Sequence, residues 1–284
     1  MTATVRPKEL SAMHPTPDVM AVETPRRIPV GDLTVAYTDS GEGEPLILVH
    51  GGESDRGQFD ALRPFLGPGI RAISYDQRDT GDTVNSDEPY TIADLGADLA
   101  GLVESLGLDK AHVLGTSFGG MVAMHAALDH PERIQSVALV ATTPNRSFTG
   151  PALDRMLELE PAARRAFMLD VLISPQGQAE NPALVDRARS VLTPRSDEQN
   201  TRRNNAVAAH DCLDRLAGLQ MPALVVQGTD DPLIRADAAE EMAKRIPDAR
   251  LELINGGRHG IATEFPHLVA GIVREFVHTH PTLQ

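Results

Sequence analysis

The sequence predicts an α/β fold: a doubly wound, mostly parallel sheet carrying an inserted helical cap. Three observations predict it. Short β-rich segments alternate with amphipathic helical ones along the 284 residues, the inner β segments are unbroken apolar runs, and this rhythm stops between about Asn145 and Asp214. Unbroken apolar runs suit strands covered by helices on both faces, since neither face then meets water.

Taken in order, residues 1–24 mix prolines with both charges and read as a flexible arm. No apolar run there has signal-peptide length, so a cytoplasmic protein is expected. "IPVGDLTV" reads as a strand. "LTVAYTDSG" and "PLILVHGG" follow as the first two sheet strands, expected to be antiparallel at one edge. "IRAISYDQR", "AHVLGTS", "SVALVATTP", "ALVVQGTDD" and "RLELINGG" supply the remaining strands. Apolar residues three and four apart mark helices in "TIADLGADLAGLVESLGL", "GGMVAMHAALDHPERI", "ADAAEEMAKRIP" and "PHLVAGIVREFVHTH". The core is therefore expected over 25–144 and 215–284, with a cap of three or so helices over 145–214. An insertion after "SVALVATTP" would stand over the carboxyl ends of the strands, where such sheets bind ligands.

Composition narrows the function. With 26 basic against 40 acidic residues the formal charge is -14, and nucleic acid or an anionic membrane would require a basic footprint instead. Neither partner is expected; a homo-oligomer is left open. The single cysteine, Cys212, cannot form an internal disulfide and reads as an inert, half-buried thiol.

The chemistry starts at "HVLGTSFGGM". Gly115-Thr116-Ser117-Phe118-Gly119 follows a buried strand and opens a helix, so Ser117 stands at a cramped corner where flanking glycines relieve side-chain contacts. Its place at a helix N-terminus favours developing negative charge. A serine hydroxyl needs a base, and the base needs an acid to orient it. Late strands end in "GTDDP", with Asp230 and Asp231, and in "GGRHG", with His259.

With those motifs the chain resembles the α/β-hydrolase superfamily from about Arg27 to His278. "HGG" at 50–52 is similar to the oxyanion loop, "YDQRDTG" at 75–81 to the motif after the next strand, and "GTSFGG" to the nucleophile elbow. The resemblance implies an eight-stranded sheet, Ser117 as nucleophile and His259 as base. The family's G-x-x-D spacing from Gly228 points to Asp231 as acid, with Asp230 the fallback. The amides of Gly52 and Phe118 would form the oxyanion hole, and no metal or organic cofactor is implied. Relatives commonly carry D-x-R-G-x-G-x-S where this chain has Asp76-Gln77-Arg78-Asp79-Thr80-Gly81-Asp82-Thr83. The "RDTG" variant resembles the branch containing aclacinomycin methylesterase. Serine at the elbow and the lack of tryptophan set aside the dehalogenases and epoxide hydrolases of the superfamily.

Other polar residues have simpler readings. Glu53 reads as a solvated loop residue, with a carboxylate near the site mouth as the alternative. His50, His112 and His125 read as structural. His278 and His280 are too few ligands for a metal. His210 reads as a helix-surface histidine, the alternative being a pocket residue. Arg164-Arg165 and Arg202-Arg203 read as solvated helix faces, the alternative being to steer an anionic substrate. From the cap, Met156, Leu157, Phe167, Met168, Leu172 and Ile173 are candidates for a greasy, adaptable pocket. The expected function is a serine hydrolase of small to medium carboxylic esters or lactones. The alternatives are a C–C bond hydrolase, a cofactor-free perhydrolase and a non-catalytic small-molecule-binding protein.

Overall fold

The computed structural model describes residues 3–5 and 24–282. Ala3–Val5 is strand β1; residues 1–2 and 6–23 of the expected arm lie outside the described residues. The sequence from Arg26 onward folds as β2 (Arg26–Val30), β3 (Leu33–Ser40), β4 (Gly43–Val49), α1 (Arg63–Leu66), β5 (Gly69–Tyr75), α2 (Ile92–Ser105), β6 (Ala111–Thr116), α3 (Phe118–Asp129) and β7 (Ile134–Val140). Five helices follow: α4 (Pro151–Glu158), α5 (Pro161–Leu172), α6 (Pro175–Glu180), α7 (Pro182–Ser190) and α8 (Asp197–Ala208). The chain then returns through β8 (Ala223–Gly228), α9 (Ala236–Arg245), β9 (Ala249–Ile254), α10 (Ile261–Glu264) and α11 (Pro266–Thr279).

Strands β2 to β9 form the eight-stranded, mostly parallel sheet, and β1 adds a short parallel strand beside β9, giving the order β1-β9-β8-β7-β6-β4-β5-β3-β2. Two local readings change. "IPVGDLTV" is a hairpin and not one strand: Gly31, at φ 56, leads a two-residue turn between β2 and β3. The antiparallel edge is accordingly β2 and β3, with β3 antiparallel to β5, whereas "PLILV" in β4 lies parallel between β5 and β6.

Every residue of β6 and of β8 is buried, as their unbroken apolar runs require. One face of the sheet packs through Val113, Val137 and Val225 against α2, α3 and α9; the other packs through Leu48, Leu114 and Val226 against α1, α10 and α11. Helix α2 begins with a capping box, in which Thr91 accepts from the Asp94 amide and Asp94 accepts from the Thr91 amide. The inserted segment holds five α-helices where about three were expected. Pro151, Pro161, Pro175 and Pro182 each occupy the first helical position, where proline starts a helix but cannot continue the preceding one, so the run is cut short repeatedly.

Candidate active site

The turn from β6 into α3 holds Ser117 at φ 52 and ψ -117, a conformation disfavoured for a residue with a side chain. The neighbours enforce it. A Cβ on Gly115 would stand 2.3 Å from the Gly119 carbonyl oxygen, and one on Gly119 would stand 2.1 Å from that of Val49, so only glycine lets strand, turn and helix approach this closely. The Ser117 amide donates to the Val140 carbonyl at 2.9 Å and the Thr142 hydroxyl donates to the Ser117 carbonyl at 2.7 Å. The strained residue is thus tied at both ends.

His259 lies on the loop between β9 and α10, with its Nε2 2.9 Å from the Ser117 hydroxyl oxygen and its Nδ1 2.8 Å from Asp231 Oδ2. Asp231 can only accept, so the imidazole proton sits on Nδ1 and Nε2 accepts from the serine. Asp231 is itself fixed: its Oδ1 accepts from the amides of Leu233 at 2.8 Å and Ile234 at 3.0 Å, and its Oδ2 from Gln227 Nε2 at 2.9 Å. Asp230 points elsewhere and accepts from the neighbouring Thr229 hydroxyl at an exposed position. The structure therefore brings Ser117, His259 and Asp231 into one hydrogen-bonded row and leaves Asp230 out of it. Such a row can draw a proton from a hydroxyl and return it to a leaving group.

The "HGG" loop borders the row. A Cβ on Gly52 would lie 3.6 Å from Phe118 Cβ, and one on Gly51 would lie 3.8 Å from Ser117 Cβ. Phe118 is the first residue of α3, and helix geometry gives its amide no intrahelical acceptor. His50 donates from Nδ1 to the Gly51 carbonyl at 2.8 Å and accepts from the Gln77 amide at Nε2; burial holds its pKa well below the usual histidine range, so it is a neutral brace. Sequence reasoning passed over Gln58. Its Oε1 accepts from the Gly51 amide at 2.7 Å and its Nε2 donates to the Thr116 hydroxyl at 2.9 Å, joining the loop to the elbow.

Above the row lies a cavity of about 180 Å³, roofed by the inserted helices. Glu53, Met156, Met168, Leu172 and His210 line it. Phe167 and Ile173 do not. Helical geometry turns Phe167 about 100° from Met168, and its ring packs within the cap under the Arg155 guanidinium. Ile173 is buried among the cap residues Leu184 and Ala188. His210 is buried, not a surface residue: its Nε2 donates to the Thr143 carbonyl and its Nδ1 accepts from His125, while burial lowers its pKa to about 4. His112 sits on β6 against the Ser136 hydroxyl, and burial likewise takes it to about 4. Cys212 is fully buried rather than half-buried, against Met124 and the Pro144 carbonyl, and burial pushes its thiol up to about 12. Among the described residues, no group of three or more His, Cys, Asp or Glu is placed to hold a metal, and no helix is long and apolar enough to cross a membrane.

The "RDTG" departure has a structural reason. Asp79 adopts φ 59, the left-handed region open to the glycine more common there in relatives, and its carboxylate accepts from Arg202 at 2.7 and 2.8 Å, from the Tyr90 hydroxyl and from Asn85. The arginine pair at 202–203 is therefore not a solvated face. Arg202 clamps α8 onto this loop, and Arg203 is buried with its guanidinium 4.1 Å from the Phe118 ring centre.

A mostly parallel sheet carrying a serine elbow, with a histidine and an aspartate on late loops, defines the class. The chain belongs to the alpha/beta hydrolase fold family, whose model matches residues 44–266. It is 29% identical to a proline iminopeptidase of Lactobacillus delbrueckii subsp. lactis over 83% of this chain and 92% of that enzyme. It is 26% identical to the 2-hydroxy-6-oxo-6-phenylhexa-2,4-dienoate hydrolase of Comamonas testosteroni over 87% of this chain and 93% of that one. Among solved structures, a thermophilic esterase from Thermogutta terrifontis with malate bound superposes with a TM-score of 0.80 at 26% identity, covering 91% of this chain and all of that one.

Proposed function

We propose that the protein is a serine hydrolase of small to medium carboxylic esters or lactones, acting through an acyl-enzyme. The observation that carries this reading is the Asp231–His259–Ser117 row at the floor of a largely apolar cavity. Ser117 attacks the carbonyl as His259 Nε2 takes its proton; His259 then gives that proton to the leaving alkoxide. Water activated by the same nitrogen frees the acyl group. Asp231 keeps the imidazole oriented and balances its transient charge. The amides of Gly52 and Phe118 stabilise the oxyanion, an effect of about 3 kcal/mol per donor.

The likeness to a dienoate hydrolase favours C–C cleavage by the same row as a second reading. Initial rates on p-nitrophenyl esters of rising acyl length and on lactones followed by pH-stat, for the wild type and Ser117→Ala, test the first. We expect serine-dependent turnover with a clear optimum of chain length and a loss of at least about 10³-fold in the variant. A variant keeping a tenth of the activity would sink the assignment. Turnover of a vinylogous diketone with none of the esters would move the reading to C–C hydrolysis.

A further inference from the structure

Strand β8 breaks its own apolar pattern at one position. Residues alternate between the two faces of a strand, so Gln227 falls on the face of Val225, which packs into the main core, and it is fully buried there. An aliphatic side chain would continue that face. The amide instead leaves its Oε1 buried with no hydrogen-bond partner, a cost that calls for a compensating role.

Its Nε2 supplies one. That nitrogen stands 2.9 Å from Asp231 Oδ2, 3.2 Å from the Ile234 carbonyl oxygen and 3.4 Å from that of Gly228. Turned over, the amide would set its own oxygen against three oxygens that only accept, so the donor must face Asp231. The carboxylate is thereby saturated. Its Oδ1 takes the amides of Leu233 and Ile234, and its Oδ2 takes Gln227 together with His259 Nδ1, filling the roughly four acceptor positions that a carboxylate has. Gln227 and His259 therefore share one oxygen. Charge that Oδ2 gives to the glutamine is withheld from the imidazole, and the Asp231 side chain is sealed from water that could replace the amide.

We infer that Gln227 is a positioning residue for the base: by donating to the oxygen that receives His259, it limits how tightly Asp231 holds the protonated imidazole and so keeps His259 a free base to lower pH. This rests on the serine-hydrolase reading and extends it from the Asp231–His259–Ser117 row to the residue that sets the working pH of that row. Asp230, Arg258 and Glu264 on the adjoining loops and α10, and Glu53, Arg203 and His210 on the cavity wall, are the other charged or titratable groups around the imidazole. They are the same in the wild type and in a Gln227 variant, so they cancel when the two are compared.

The test is Gln227→Met, which keeps the length and the apolar fit and removes the donor. The acid limb of kcat/KM against pH, on the best p-nitrophenyl ester, is expected to move up by about half a pH unit or more, part of what one charge-assisted hydrogen bond contributes. Below the limb the variant is then about threefold slower than its plateau accounts for, with KM little changed. An NMR titration of the His259 ring, which needs no turnover, is expected to move in the same direction. A limb and a ring titration that stay in place or move down would overturn the inference, whatever the plateau loses, and would leave Gln227 a tie between β8 and the loop after it. A ring titration that moves up, in a protein that turns over no ester, would support the inference while removing the ester reading. If Gln227→Met does not fold, the wild type decides: the Gln227 side-chain amide signal is expected to shift with the same midpoint as the His259 ring, and a signal that is flat through that midpoint would overturn the inference.

Discussion

The sheet edge and the cap above it are held in place by different forces. At the edge, Ser117 follows a strand with all six residues buried, and Asp231 follows another, so the positions of these side chains are fixed by continuous aliphatic packing. The cap has one small apolar cluster of its own, around Ile173, shares a second, around Met168, with Leu233, Ile234 and Ala238 of the body, and packs Ala206 of α8 into the main core; polar links add to these contacts. Arg202 grips Asp79, the Ser174 hydroxyl donates to Glu264, Thr193 donates to Asp55, and the backbone of His259 and Gly260 donates to the carbonyls of Val171 and Leu172 at the end of α5. The difference teaches where each property resides. A dense core holds Ser117, His259 and Asp231 to a narrow geometry, whereas a junction of small apolar clusters and polar links lets the roof be refitted for new substrates without disturbing them.

The largest expected effect lies wholly at the sheet edge. Asp231→Asn should lower kcat by about 10³- to 10⁴-fold, because an amide cannot hold the imidazole in the working tautomer, while Asp230→Asn should cost less than a few-fold. Steady-state kinetics on the best ester decide it. Equal losses in the two variants would mean that the acid is shared, and that packing defines the edge less sharply than the distances imply.

That contrast also separates what the sequence made legible from what it did not. Ser117, His259 and Asp231 could be found because each ends a strand of recognisable pattern, and a strand's carboxyl end fixes where its next residues lie. Gln58, Gln227 and Arg203 carry no such signal. Gln58 meets Thr116 across 58 positions and Arg203 meets the Arg78 carbonyl across 125, so their partners exist only once the fold is formed. The cap showed the same limit. Its apolar residues were recognisable, yet which of Phe167 and Met168 faced the cavity depended on helix rotation. Asp79 is intermediate: its departure from the usual glycine was visible, but its grip on Arg202 was not.

A smaller effect tests the seam. Removing Arg202 leaves the Asp79 carboxylate, 2% exposed, without its ion-pair partner, and such losses cost about 3 kcal/mol. Arg202→Ala should lower the urea midpoint accordingly and make the cap more open to limited proteolysis. Asp79→Asn, which keeps a polar group toward Tyr90 and Asn85, should cost less. A midpoint unchanged in Arg202→Ala would show that the apolar contacts of the cap suffice and that the seam is incidental.

The smallest effect uses acid to probe the body and the cap junction separately, since each contains a buried neutral histidine. His112 belongs to β6, and His210 follows α8 where the chain leaves the cap; burial takes both from 6.5 to about 4. A histidine depressed in this way binds its proton in the unfolded chain first. Its contribution to stability is complete above about pH 6.5, falls as the pH drops toward 4, and changes little below that. Between pH 7 and 5 each should cost about 2 kcal/mol, measurable by urea unfolding at the two values. Glu44, beside His112, has its pKa lowered below 4.5 chiefly by the Thr282 hydrogen bonds, against its own desolvation, so its loss of stability falls mostly below this window. His112→Gln should reduce the global loss, to which buried His50 also contributes, whereas His210→Gln should chiefly reduce the acid-induced rise in cap proteolysis. If both variants flatten both measurements equally, body and cap unfold as one unit and the polar seam is as cooperative as the core it joins.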